Sequence, residues 1–225
     1  MPTPHFPESH HPLIEALSSH SDWDLLTLFK LYPEQGKYFT AIFCRYTPII
    51  YTLTPHAARY MLHQPGATHS EVEPSPLQID YLFALIWRYF YSEMHRLELP
   101  EGDEASSNSF SLQNWLIDMT AARVRQIELP PADSINYRLK AASPPLWCYL
   151  EQALDLLPSR MRLIVLMAQT FHWSETQIAT YLQKTEKEKI SPAEVQTSIQ
   201  QGDQMLEAAL PEDIQTIYLG EAEKA

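Results

Sequence analysis

A chain of 225 residues with 45% hydrophobic side chains is long enough for one or two domains with real cores and too apolar to be intrinsically disordered. Only 5 glycines and few alternating β-branched runs argue against sheets, so the composition predicts an all-α protein in which the 18 prolines act as punctuation. A net charge of −12 counts against a free-standing nucleic-acid binder, which draws its affinity from Lys and Arg at phosphates, but leaves room for one that reaches DNA on another protein.

The first 21 residues combine His5, His10, His11 and His20 with Pro2, Pro4, Pro7 and Pro12 and read as a flexible tail; the histidines could chelate a metal, but that composition more often marks a loose segment. No Lys or Arg is present there to form a signal-peptide head, and no apolar run reaches the ~20 residues of a bilayer span, so a cytoplasmic protein is expected. Ser21 and Asp24 form a capping pair that opens a short helix through Leu25, Leu26 and Phe29. Phe39, Ile42, Phe43, Tyr46, Ile49, Ile50 and Leu53 then repeat at helical spacing past an expected kink at Pro48, and Thr54-Pro55 reads as the start of another helix. Ser75-Pro76-Leu77-Gln78 is a capping box for a long helix from Leu77 to Leu97, with Ile79, Leu82, Phe83, Ile86, Tyr89 and Phe90 as its buried face.

An acidic, polar loop over residues 100–109 precedes Ser111, which caps a helix carrying Leu112, Trp115, Leu116 and Met119 and ending near Arg123 and Arg125. Residues 129–143 contain proline and little apolar periodicity, which predicts an interdomain linker between a helical domain over 22–128 and a second one over 144–213. In the second domain Leu146, Tyr149, Leu150, Ala153 and Leu157 form one apolar stripe and Met161, Ile164, Val165 and Ala168 another. Ser174-Glu175-Thr176-Gln177 and Ser191-Pro192-Ala193-Glu194 are capping boxes for two further helices, which together make a candidate helix-turn-helix. Residues 214–225 read as an acidic tail, and Cys44 and Cys148 as buried thiols.

The stretch Leu156-Leu157-Pro158-Ser159-Arg160-Met161-Arg162, followed by Ile164-Val165-Leu166 and then by Trp173-Ser174-Glu175-Thr176-Gln177-Ile178-Ala179, resembles domain 4 of the sigma-70 family of RNA polymerase initiation factors. Phe110-Ser111-Leu112-Gln113-Asn114-Trp115-Leu116 is similar to the start of that family's promoter-melting helix, and the two patterns stand in the order of its smaller, two-domain ECF-like group. The resemblance implies a first domain that docks on a coiled coil of core RNA polymerase and opens promoter DNA, and a second that reads the upstream promoter element. It places Gln78 and Asp80 at polymerase-docking positions, and it implies DNA contact through Gln196 and Gln200 of the recognition helix. Arg123 and Arg125 are candidates for phosphate or for helix-end pairing, and Lys184, Lys187 and Lys189 for touching phosphate or solvating the turn.

Residues 191–209 depart from the family: they hold Glu194, Asp203 and Glu207 and no Lys or Arg, so this helix should be repelled by phosphates. Two readings therefore stand, a promoter-directing factor and a sigma-fold adaptor or regulator that binds polymerase or another protein without reading DNA. An anti-sigma or other protein partner suits the acidic surface. No Walker loop, HExxH, nucleophile elbow or paired Cys/His ligand set occurs, so neither a catalytic residue nor a cofactor or metal site is expected, and no membrane contact.

Overall fold

The computed structural model describes residues 4–62, 73–98, 110–139, 141–186 and 189–220, and among these the chain is all-α, with no strand. Ten α-helices follow in order: α1 Pro12–Glu15, α2 Asp22–Leu31, α3 Gly36–Leu62, α4 Pro76–Arg96, α5 Leu112–Val124, α6 Pro144–Leu156, α7 Ser159–Gln169, α8 Glu175–Glu186, α9 Pro192–Ala209 and α10 Glu212–Tyr218. They divide into two units, the first made of residues 1–148 and 211–225 and the second of residues 149–210. The division falls inside α6, a few residues beyond the expected linker, and residues 211–220 belong to the first unit rather than trailing behind the second.

In the first unit α3 is the central element, packed against α1, α2, α4, α5 and α10. Its 27 residues form one helix with both Pro48 and Pro55 inside, where the sequence predicted a kink and a second helix start. Each internal proline removes a backbone hydrogen bond, so continuity is carried by packing: Phe39, Ile42, Phe43, Ile50 and Ala58 are all fully buried along one face. The threonine before each proline bonds back one turn, Thr47 to the Phe43 carbonyl at 2.7 Å and Thr54 to the Ile50 carbonyl at 2.8 Å.

The core between α2, α3 and α4 is aromatic. Trp87 is fully buried and meets Phe43 and Phe90 edge-on at 5.0 and 5.3 Å, while Phe29 and Phe39 pack at 5.7 Å. Residues 4–20, expected to be loose, are instead built into this unit. Phe6 stands edge-on to Phe43 at 4.9 Å, and Ile14 and Leu17 are buried, because the tail's few apolar residues find a place on the aromatic core. The first turn of α3 is capped from far along the chain: the two oxygens of Asp213 accept from the Gly36 N–H at 3.0 Å and the Lys37 N–H at 2.8 Å. Tyr218, at the end of α10, is half-buried, with its hydroxyl 3.1 Å from Glu8 Oε1 and 3.2 Å from Ser143 Oγ.

The second unit has a small aliphatic core of Ile164, Met167, Ile178, Ala179, Leu182, Ile190 and Val195, drawn from α7, α8, α9 and the turn before α9. α7 and α9 approach closely at Gly202, where an added Cβ would lie 2.4 Å from Val165 Cγ2. His172, between α7 and α8, has a φ of 54°, the left-handed region that favours glycine.

Candidate docking and nucleic-acid interface

α4 presents two faces of different chemistry. Its inward face, Ile79, Leu82, Phe83, Ile86, Trp87, Phe90 and Met94, is buried. Its outward face carries Tyr81, Leu85 and Tyr89, half-buried, and Arg88, exposed. Tyr89, expected inside, lies on this outer side because it falls one residue beyond the inward stripe.

Rings and guanidinium groups are layered here. Tyr137 and Trp147 stack at 4.7 Å with planes 28° apart, and Tyr81 stands 6.2 and 6.4 Å from them. The Arg88 guanidinium lies 5.5 Å over the Trp147 ring and that of Arg123 lies 4.9 Å over the Tyr89 ring. A guanidinium stacked by its face keeps its N–H donors at the rim, where they suit a carboxylate or phosphate. Arg125, at the C-cap of α5, is exposed.

The two predicted docking residues are spent differently. Gln78 is buried, its Oε1 accepting from the Ser75 N–H at 2.9 Å and its Nε2 donating to the Pro130 carbonyl at 3.0 Å. It caps the helix and ties down the segment after α5, which leaves no exposed amide for a partner. Asp80 is half-buried and accepts from the Tyr51 hydroxyl at 3.1 Å; burial first, and then the neighbouring carboxylate, push that hydroxyl up to about 12.

In the second unit α8 and α9 are each opened by the expected reciprocal capping, Ser174 with Gln177 and Ser191 with Glu194. The connection before α9 is fixed at its end, where Ile190 is buried and its carbonyl accepts from Gln183 Nε2 at 2.8 Å. Gln196 and Gln200 are exposed one turn apart on α9, a spacing that lets both amides face a groove edge. Thr197, Gln201, Asp203, Gln204 and Glu207 are exposed as well.

Glu194 sits at the N-terminus of α9, accepting from the Ser191 N–H at 2.7 Å and the Ser191 hydroxyl at 2.8 Å, contacts that hold its carboxyl below the usual range. A carboxylate thus occupies the place a phosphate would take. Lys184 is exposed on α8, Lys189 is exposed where it helps line a shallow cleft of about 420 Å³ with Arg160 and Glu194, and Lys187 lies outside the described residues. Arg162 is turned back on its own unit, 2.9 Å from Asp155.

Sequence reasoning missed Tyr81, Arg88 and Trp147. The signal available was a second, mixed aromatic and cationic stripe at 81, 85, 88 and 89, spaced like the apolar one. Among the described residues no group of three or more His, Cys, Asp or Glu could hold a metal ion, no helix is long and apolar enough to cross a membrane, and neither Cys44 nor Cys148 is in a disulfide. No family model matches the chain, and no curated protein or solved structure matches it.

Proposed function

We propose that this is a sigma-factor-like protein that binds core RNA polymerase and directs transcription initiation at promoters, working in the cytoplasm and performing no chemistry of its own. The observation that carries the reading is the α8–turn–α9 pair, two separately capped helices packed through Ile178, Leu182 and Val195 with the amides of Gln196 and Gln200 exposed on the second. The order of the family-like segments along the chain supports it. The cations that would meet phosphate are Arg123 and Arg125 in the first unit and Lys184, Lys187 and Lys189 in the second.

A second reading is favoured by one observation. α9 exposes Glu194, Asp203 and Glu207 with no cation among residues 191–209, which suits a basic protein surface, such as an anti-sigma protein or another regulator, better than DNA. Gel filtration of the purified chain with core polymerase, followed by transcription from a genomic promoter pool at stated salt, separates the two. Co-elution with specific transcripts that Gln196→Ala/Gln200→Ala abolishes supports promoter reading. Co-elution without transcripts leaves the adaptor, and absence of co-elution defeats both.

A further inference from the structure

The connection from α7 to α8, within the second unit, displays three aromatic rings that the readings above leave unused. Phe171 is 57% exposed, Trp173 36% and Tyr181 40%. The Trp173 ring lies 6.4 Å from Phe171 and 5.5 Å from Tyr181, the latter pair edge to face, so the three make one patch. Tyr181 stands two turns into α8, and its ring leans back toward the start of the helix, as long helical side chains do. The backbone fixes the display. The Trp173 N–H donates to the Met167 carbonyl at 3.1 Å, and His172, between two of the displayed rings, holds a φ of 54°, which a residue other than glycine adopts at a cost. A strained turn that keeps large rings in water points to a binding surface rather than to packing.

Size and charge define the occupant. Rings exposed to these extents offer roughly 300 Å² together, against the ~800 Å² that each side of a stable protein–protein interface uses. The patch is therefore too small to seal a second copy of the chain or a packed helix, and suits one anchoring side chain. Carboxylates flank it: Glu175 is exposed two residues after Trp173, and the exposed Asp203 accepts at 3.5 Å from Nε2 of Gln169, two residues before Phe171. The other charged or titratable groups here are His172 and Lys184, the latter exposed one turn beyond Tyr181, on the side away from Trp173. A guanidinium satisfies both features, since its plane stacks on a ring while its N–H rim meets a carboxylate; an ammonium is more strongly hydrated and has no plane to stack. The first unit already contains this pairing, Arg88 over Trp147 and Arg123 over Tyr89, whereas among the described residues no cation stands over Phe171, Trp173 or Tyr181. We infer that this patch is a docking site for an arginine side chain on an extended segment of a partner protein, with Glu175 and Asp203 as the carboxylates at its rim.

The test uses the full-length chain and a short acetylated, amidated peptide of alternating glycine and arginine, with lysine and citrulline versions of the same length. Binding is followed by NMR at the indole N–H signals, that of Trp173 being assigned with Trp173→Phe. The arginine peptide should move the Trp173 signal and leave that of the buried Trp87 in place. The lysine and citrulline peptides should bind roughly tenfold more weakly, and Phe171→Ala and Trp173→Ala should each weaken the arginine peptide about fivefold or more. Equal binding of the lysine or citrulline peptide, or equal binding by both variants, overturns the inference and reduces the contact to general attraction toward an anionic chain. A Trp173 signal that does not move with the arginine peptide overturns it as well, and one that moves only with an oligothymidine makes the rings a platform for nucleobases instead. Phe171 is the most exposed of the three rings, so its substitution leaves the core of the second unit intact, and the signal mapping uses the unaltered protein. Neither result depends on polymerase, so the readings above stand or fall separately.

Discussion

The two units solve the problem of a helical core with different materials. The first buries Phe29, Phe39, Phe43, Phe83, Trp87 and Phe90 around one long helix, and gathers in segments as distant in sequence as Phe6 and Ile217. The second closes on seven aliphatic side chains from three neighbouring helices and their connections, and depends on Gly202 to let α7 and α9 meet. Large rings tolerate an irregular enclosure because each buries so much area, whereas a small aliphatic core has to be fitted by backbone approach. The difference teaches where each unit is fragile: the first at single large residues and at remote ties, the second at shape.

The sharpest break in the comparison is Trp87→Ala. Removing a fully buried indole should cost the first unit about 3–5 kcal/mol, read as a lowered denaturation midpoint by circular dichroism, with amide exchange in the second unit unchanged. Gly202→Ala is the counterpart. The 2.4 Å approach of the new Cβ to Val165 Cγ2 outweighs alanine's better helix propensity, so a net loss of about 1–2 kcal/mol is expected, confined by hydrogen exchange to the second unit. Asp213→Ala tests the remote tie: losing the cap on Gly36 and Lys37 should cost about 1 kcal/mol, and faster exchange should appear in the first turn of α3 rather than in α9.

The last effect is nil near neutrality and grows with pH. Burial holds the Tyr46, Tyr51, Tyr137 and Tyr218 hydroxyls above the ordinary value of 10.0, Tyr51 at about 12. A folded-state value raised above the unfolded one gives stability that is complete below pH 10 and is lost as pH rises toward 12 and beyond. All four tyrosines lie in the first unit, which should therefore unfold first in an alkaline titration followed by tyrosinate absorbance, and Tyr51→Phe should flatten its early part.

Much of this was legible in the sequence because it is local. The pairs Ser21 with Asp24, Ser75 with Gln78 and Ser191 with Glu194 each form the reciprocal capping that their spacing predicts. What escaped was decided at a distance. Nothing near Pro48 or Pro55 says that α3 runs on through them; that follows from the aromatic core on which its face is buried. Gln78 has the residue type of a docking group, and only the arrival of Pro130, 52 positions later, turns its amide inward. At the candidate site the acidic character of α9 could be read directly, whereas the ring layers over Arg88 and Arg123 could not, since they join α4 to residues on α5 and α6.

The cap that Asp213 places on Gly36 also bears on the order in which the chain becomes itself during synthesis. Residues 149–210 leave the ribosome with their whole core already made, and can close as soon as they emerge. The first unit, although most of it is translated earlier, waits for α10 to supply the cap of its central helix and the Tyr218 hydroxyl that meets Glu8. The portion made first is thus the one finished last, and until α10 arrives the Gly36 and Lys37 N–H groups at the start of α3 lack the carboxylate that caps them in the finished fold.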